Sequence, residues 1–74
     1  MFIKIGDSTN RISEIASICY ANYIDRADNS YDIIVVLNND THIRVHCYNK
    51  EMREEIMQSV LSQLKDKDLL QLSD

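Results

Sequence analysis

The sequence predicts an α+β fold: a small antiparallel sheet of about four strands, packed by one C-terminal amphipathic helix. Two β-branched runs, residues 31–37 and 41–48, flank Asn38-Asn39-Asp40, residue types that tolerate the left-handed backbone of tight turns. That pattern is a hairpin. Directly after it the apolar period changes: Met52, Ile56, Val60 and Leu64 recur every fourth residue with Met57 and Leu61 beside them, the stripe of a helix that buries one face. At 74 residues the chain suits one domain, with a β-meander over 1–48, a helix over 49–65 and a short tail over 66–74.

The elements follow in order. Residues 1–5 alternate weakly and are β-prone, and Gly6-Asp7-Ser8 ends them with a turn whose glycine can take a positive φ. Ile12, Ile15 and Ile18 recur every third residue, a spacing that suits either a short helical turn or an irregular crossing, so 10–15 is read as a lead-in. Residues 16–23, ASICYANY, favour a second strand with Ile18 and Tyr20 on one face and Cys19, Ala21 and Tyr23 on the other. The polar segment 25–30, DRADNS, is the loop into the hairpin.

Register decides which hairpin side chains share a face, and loop length sets register. A loop of two or four residues places Ile34 and Val36 with Ile43, Val45 and Cys47, and leaves Ile33, Val35 and Leu37 beside His42, Arg44 and His46. A loop of three does the reverse. Both outcomes leave aliphatic residues on each face, and a sheet apolar on both faces needs two covers. Only one good helix is present, so a second subunit is the expected supplier of the other cover, and a homo-oligomer is expected. Asn49 is a good N-cap for that helix, with Glu51, Glu54 and Glu55 in its early turns and Lys65 and Lys67 near its other end, the order the helix dipole favours. The stretch 68–72, DLLQL, suits docking on the sheet, pairing with another chain, or fraying.

Composition narrows the function classes. A chain this short buries a small core, for which self-association is a remedy. Disulfides are a poor alternative with only Cys19 and Cys47 and no secretory signal ahead of them, so reduced thiols and a cytoplasmic location are expected. No apolar run approaches the roughly 20 residues of a membrane span. Twelve acidic against eight basic residues give a net charge of -4, which opposes nucleic-acid binding, and the single glycine rules against a Gly-rich phosphate loop.

Among chemistry-bearing residues, His42, Arg44 and His46 alternate along one strand and so share a face, each about 6.5–7 Å from the next. The two histidines lie roughly 13 Å apart in that geometry, too far to share a metal ion. No metal and no cofactor are expected. The row suits anion or phosphate recognition, with Arg44 as bidentate donor and Tyr31 or Tyr48 available to stack on a base; the alternative is a solvated strand face. No nucleophile elbow marks a serine, Cys19 and Cys47 read as small core residues, and Glu54 and Glu55 point to different sides of a helix, so no enzyme is expected.

The order of FIKIGDSTNRISEIASICY, then DIIVVLNNDTHIRV, then one closing helix resembles the very small meander-plus-helix proteins of bacteriophages and mobile elements. Where many of those carry Asp-Gly or Asn-Gly at the hairpin turn, this chain has Asn39-Asp40, which leaves the turn type open. The resemblance covers most of the chain but describes an architecture more than an activity. It implies an anti-defence role of one of two kinds. The first is a sponge that sequesters a cyclic or phosphorylated nucleotide signal between subunits, here through Arg44, His42 and His46 with Tyr31 or Tyr48 stacking. The second is an acidic inhibitor or adaptor, similar to anti-CRISPR proteins, that binds a host protein and needs no small molecule.

Overall fold

Gly6 governs the first departure from the expected order. Its φ of 59° is positive while that of Asp7 is not, and Ile5 pairs with Ser8, so Gly6-Asp7 is the two-residue loop of a type II′ hairpin with glycine at its first central position. That turn reverses the chain at once. Hence β1 (Phe2–Ile5) pairs antiparallel with β2 (Ser8–Arg11), a strand over residues that the sequence alone assigns to the end of a turn at Ser8 and the start of a lead-in at Asn10. Only Thr9 of Ser8, Thr9, Asn10 and Arg11 is a good strand former on its own, and pairing with β1 is what makes the four a strand. A 3-10 turn at Ile12–Glu14 then carries the chain onward.

The computed structural model describes residues 1–66, so the 68–72 stretch lies outside the described residues. In it β3 (Ile15–Tyr20), β4 (Ile33–Leu37) and β5 (His42–Val45) form a three-stranded antiparallel meander with β4 in the centre. The fold is therefore small α+β, with five strands in two sheets among the described residues and the long helix α2 (Lys50–Asp66) after them. The second expected strand stops early. At Ala21 the chain enters α1 (Ala21–Ile24), a single helical turn, and Tyr23 is left exposed.

The hairpin register resolves to the three-residue loop. Leu37 N–H donates to Thr41 O (2.9 Å), Asp40 N–H to Leu37 O (2.9 Å), and Asp40 takes a φ of 67°, which together make a type I turn followed by a left-handed residue. Asn39 Oδ1 accepts from Thr41 N–H and tightens the turn. Ile33 then stands opposite Val45 and Val35 opposite Ile43, so this row faces the helix, while Ile34 pairs with Arg44 and Val36 with His42 on the reverse face. The apolar excess expected on that reverse face reduces to Ile34 and Val36 on the central strand. Ile34 is buried and Val36 half-buried between flanking strands that carry Ser17, Cys19, His42 and Arg44.

The core lies between the meander and α2, with β1 against the helix as well. Ile3, Ile5, Ile33, Val35, Val45, Cys47 and Val60 are buried together, and Met52, Ile56, Met57 and Leu64 of the expected stripe pack on them. Asn49 caps α2 as its position suggested: its Oδ1 accepts from Met52 N–H at 2.8 Å. Asn49→Ala is expected to lower stability by about 1 kcal/mol, read as a shift of the urea midpoint without a change in slope.

Gln63 does something no sequence signal marked. The two-residue loop of the first hairpin makes Ile5/Ser8 and Ile3/Asn10 its hydrogen-bonded pairs, which turns the Lys4 N–H and C=O outward. Gln63 meets both: Oε1 accepts from Lys4 N–H (2.8 Å) and Nε2 donates to Lys4 O (2.7 Å). A side-chain amide thus stands where another strand would sit and closes the β1 edge.

Candidate functional site

The side chains with the most distinctive chemistry gather at the edge strand β5. Arg44 projects from the reverse face of β5, and the loop between α1 and β4 brings two carboxylates to it. Its Nη1 donates to Asp32 Oδ2 at 2.7 Å and its Nη2 to Asp28 Oδ2 at 2.9 Å. Asp32 is 4% exposed and serves three partners, because its Oδ1 also accepts from Cys47 N–H (3.0 Å) and lies 3.1 Å from His46 Nδ1. Extending the ladder by one pair past Ile33/Val45 puts Asp32 opposite His46, which is why one carboxylate reaches both the arginine and the histidine.

These contacts fix the charges. Burial pushes the Asp32 carboxyl up, but the Cys47 N–H, the Arg44 guanidinium and the His46 ring outweigh it and hold it below the usual carboxylate range. Hydrogen bonds from the Ser30 hydroxyl, Arg44 and the Ser30 N–H lower Asp28 to about 2. Asp32 and Asp28 in turn raise the Arg44 pKa, so all three groups are ionised at neutral pH. Burial and the nearby Asp32 charge push the Cys47 thiol up, opposite to what a nucleophilic thiolate needs.

Beside this cluster the first hairpin turn and β5 enclose a depression of about 410 Å³, walled by Gly6, Asp7 and Ser8 on one side and by Arg44, His46 and Tyr48 on the other. Three of the five expected site residues therefore meet. His46 and Tyr48 are in edge-to-face contact, ring centres 4.6 Å apart at 84°. His42 stays at the start of β5, exposed and outside the depression. Tyr31 is not part of it either: its ring lies 5.3 Å from the Arg53 guanidinium carbon, and the same guanidinium lies 3.9 Å from Tyr20, so Tyr31 helps to hold α2.

No family model, curated protein or solved structure matches this chain. The site must therefore be read from its own chemistry. Among the described residues no group of three or more His, Cys, Asp or Glu side chains is placed to hold a metal ion, and no helix is long and apolar enough to cross a membrane.

Backbone adds a feature that side chains do not show. Because Leu37/Thr41 is a hydrogen-bonded pair, Val35/Ile43 and Ile33/Val45 are too, and the intervening His42 and Arg44 turn their N–H and C=O groups away from β4. Among the described residues those groups have no backbone partner. The free edge of β5 runs from His42 toward the depression. Asp28, Asp32 and Ser30, which brace it, escaped the sequence reading; Asp32 becomes visible only once the three-residue loop fixes the register that sets it opposite His46.

Proposed function

We propose that the chain is a non-enzymatic binding module that recognises an extended segment of another protein along the free edge of β5, with one side chain of that segment entering the depression beside Gly6–Ser8. The observation that carries this reading is the double pairing of Arg44 with Asp28 and Asp32. One guanidinium charge against two carboxylates, with Asp7 also on the wall, offers a phosphate no net attraction. The same balance suits a neutral or basic side chain. Strand addition supplies main-chain hydrogen bonds at His42 and Arg44, and the depression supplies selectivity.

A second reading rests on the depression itself, whose volume falls within the range of small-molecule sites and which joins Arg44, His46 and Tyr48. It assigns the chain to sequestering a cyclic or phosphorylated nucleotide. Two measurements separate the readings. Across a panel of cyclic dinucleotides and nucleotide sugars the melting temperature is expected to stay unchanged, since a ligand that binds only the native state must raise it. Extended peptides selected from a displayed library are expected to bind the chain and to lose binding in His42→Pro, a change that removes an outward N–H without touching the β4 ladder. A melting shift that Arg44→Ala abolishes, or peptide binding that survives His42→Pro, would overturn the strand-addition reading.

A further inference from the structure

The edges of the two sheets are not treated alike. Gln63 fills the β1 edge at Lys4, and the free β5 edge carries charged or ionisable side chains at His42 and Arg44 that restrict what can pair there. Among the described residues no side chain fills the β3 edge, and the one cation beside it is Arg53, stacked on the Tyr20 ring. Ala21 N–H donates to Asp32 O across the β3–β4 ladder, and Cys19 stands opposite Ile34 and Ser17 opposite Val36, so these are the hydrogen-bonded pairs and the N–H and C=O of Ile18 and Tyr20 point outward. No charged residue lies within Ile15–Tyr20.

Two shallow hollows adjoin this edge on the helix side, of about 360 Å³ and 260 Å³, and both are lined by Ile18 and Met57. They form one apolar trough. On its rim Tyr23 is 85% exposed, Leu61 43% and Tyr20 36%. Among the described residues the three-stranded sheet ends at β3 and no strand lies beneath the Met57–Leu61 flank of α2.

We infer that this trough and the β3 edge form a self-association surface, and that its occupant is a second copy of the chain related by a two-fold axis at Cys19, which sets Ile18 of one copy opposite Tyr20 of the other. An antiparallel edge is complementary to itself, so two copies meeting there satisfy each other's Ile18 and Tyr20 groups in one closed pair. Charge bears on the fit as well: Ile15–Tyr20 carries none, while Glu51, Glu54 and Glu55 share a hollow with Tyr20, Met57 and Leu61 and the Arg53 guanidinium lies 3.9 Å from the Tyr20 ring, so each copy brings both signs to the margin of the seam. A chain of this size also has the most to gain from extra apolar burial. The register shift between Ile15 and Ser17 limits straight pairing to Ser17–Tyr20, so the ladder sets the geometry and burial of Met57, Leu61 and Ile18 supplies most of the affinity. This inference stands independently of the β5 reading.

The test is sedimentation equilibrium of the full chain with hydrogen exchange read at two concentrations, about 10 and about 100 µM, since dimer formation must depend on concentration. The mass is expected to reach that of two chains, with the Ile18 and Tyr20 amides exchanging more slowly at the higher concentration. Leu61→Glu sets a carboxylate from each copy in the seam and is expected to weaken association at least about 100-fold while helical content stays unchanged. A single-chain mass at the higher concentration would overturn the inference. So would a dimer that Leu61→Glu leaves intact, or equal exchange of the Ile18 and Tyr20 amides at both concentrations, a readout that holds even if the variant folds poorly.

Discussion

Replacing Asp32 with alanine is expected to lower the unfolding free energy by about 2–3 kcal/mol, because it removes three contacts from one buried acceptor, two of them to charged or chargeable partners. The Cys47 N–H is the part that cannot be repaired. Cys47 is 2% exposed, so its N–H is left without either a protein acceptor or water. Arg44 fares better: its side chain is 53% exposed and keeps Asp28, so the full penalty of an isolated buried charge does not apply. Asp32→Asn should fall between the two, since its amide oxygen can still accept from Cys47 while the ionic share is lost. Urea unfolding of the three proteins checks the order, and an alanine variant as stable as the parent would remove Asp32 from its place at the centre of the site.

The same carboxylates set an acid limit. Asp28 and Asp32 both titrate lower in the folded protein than in the unfolded chain, so the unfolded state takes up protons first as pH falls. The stability they contribute is fully present above the unfolded carboxylate value of about 4 and is lost as pH drops through the folded values, which for Asp28 means about 2. In Asp32→Ala this acid loss should be smaller, because one of the two shifted groups is gone. Equal pH dependence in parent and variant would contradict that assignment.

What the sequence made legible follows from how local each signal is. The helix was readable as a helix and at its start, since its stripe and its Asn49 cap are local and the cap bond forms as the spacing requires. The hairpin was readable as a hairpin but not in register: Asn38-Asn39-Asp40 supports several loop lengths, and only the left-handed Asp40 selects one. Everything that depended on register was hidden with it, including the face shared by Asp32, Arg44 and His46. Residues 8–11 were missed for another reason. Their strand character is conferred by β1 through the Gly6 turn, and composition carries no trace of it. The row of His42, Arg44 and His46 was found as a row, but the carboxylates that offset its charge come from a loop whose path no periodicity specifies.

Gly6→Ala is expected to cost about 2–4 kcal/mol, the sum of a backbone term and a packing term that act at one atom. The backbone term comes from a φ of 59°, which a residue with a Cβ adopts only under strain. The packing term comes from position: a Cβ at residue 6 would lie 2.7 Å from Val45 Cγ1 and 3.5 Å from Ile56 Cδ1. Val45 is itself 6% exposed and belongs to the core, so it has little room to retreat. A double-mutant cycle separates the two terms. Val45→Ala alone opens a cavity and destabilises, but in the Gly6→Ala background it also relieves the clash, so the two changes together should cost less than their sum by roughly 1 kcal/mol or more. Strict additivity would mean that backbone strain accounts for the whole effect and that the turn does not press on β5. A favourable coupling would tie the first hairpin turn to the edge strand, and with it the wall of the depression to the strand that carries Arg44 and His46.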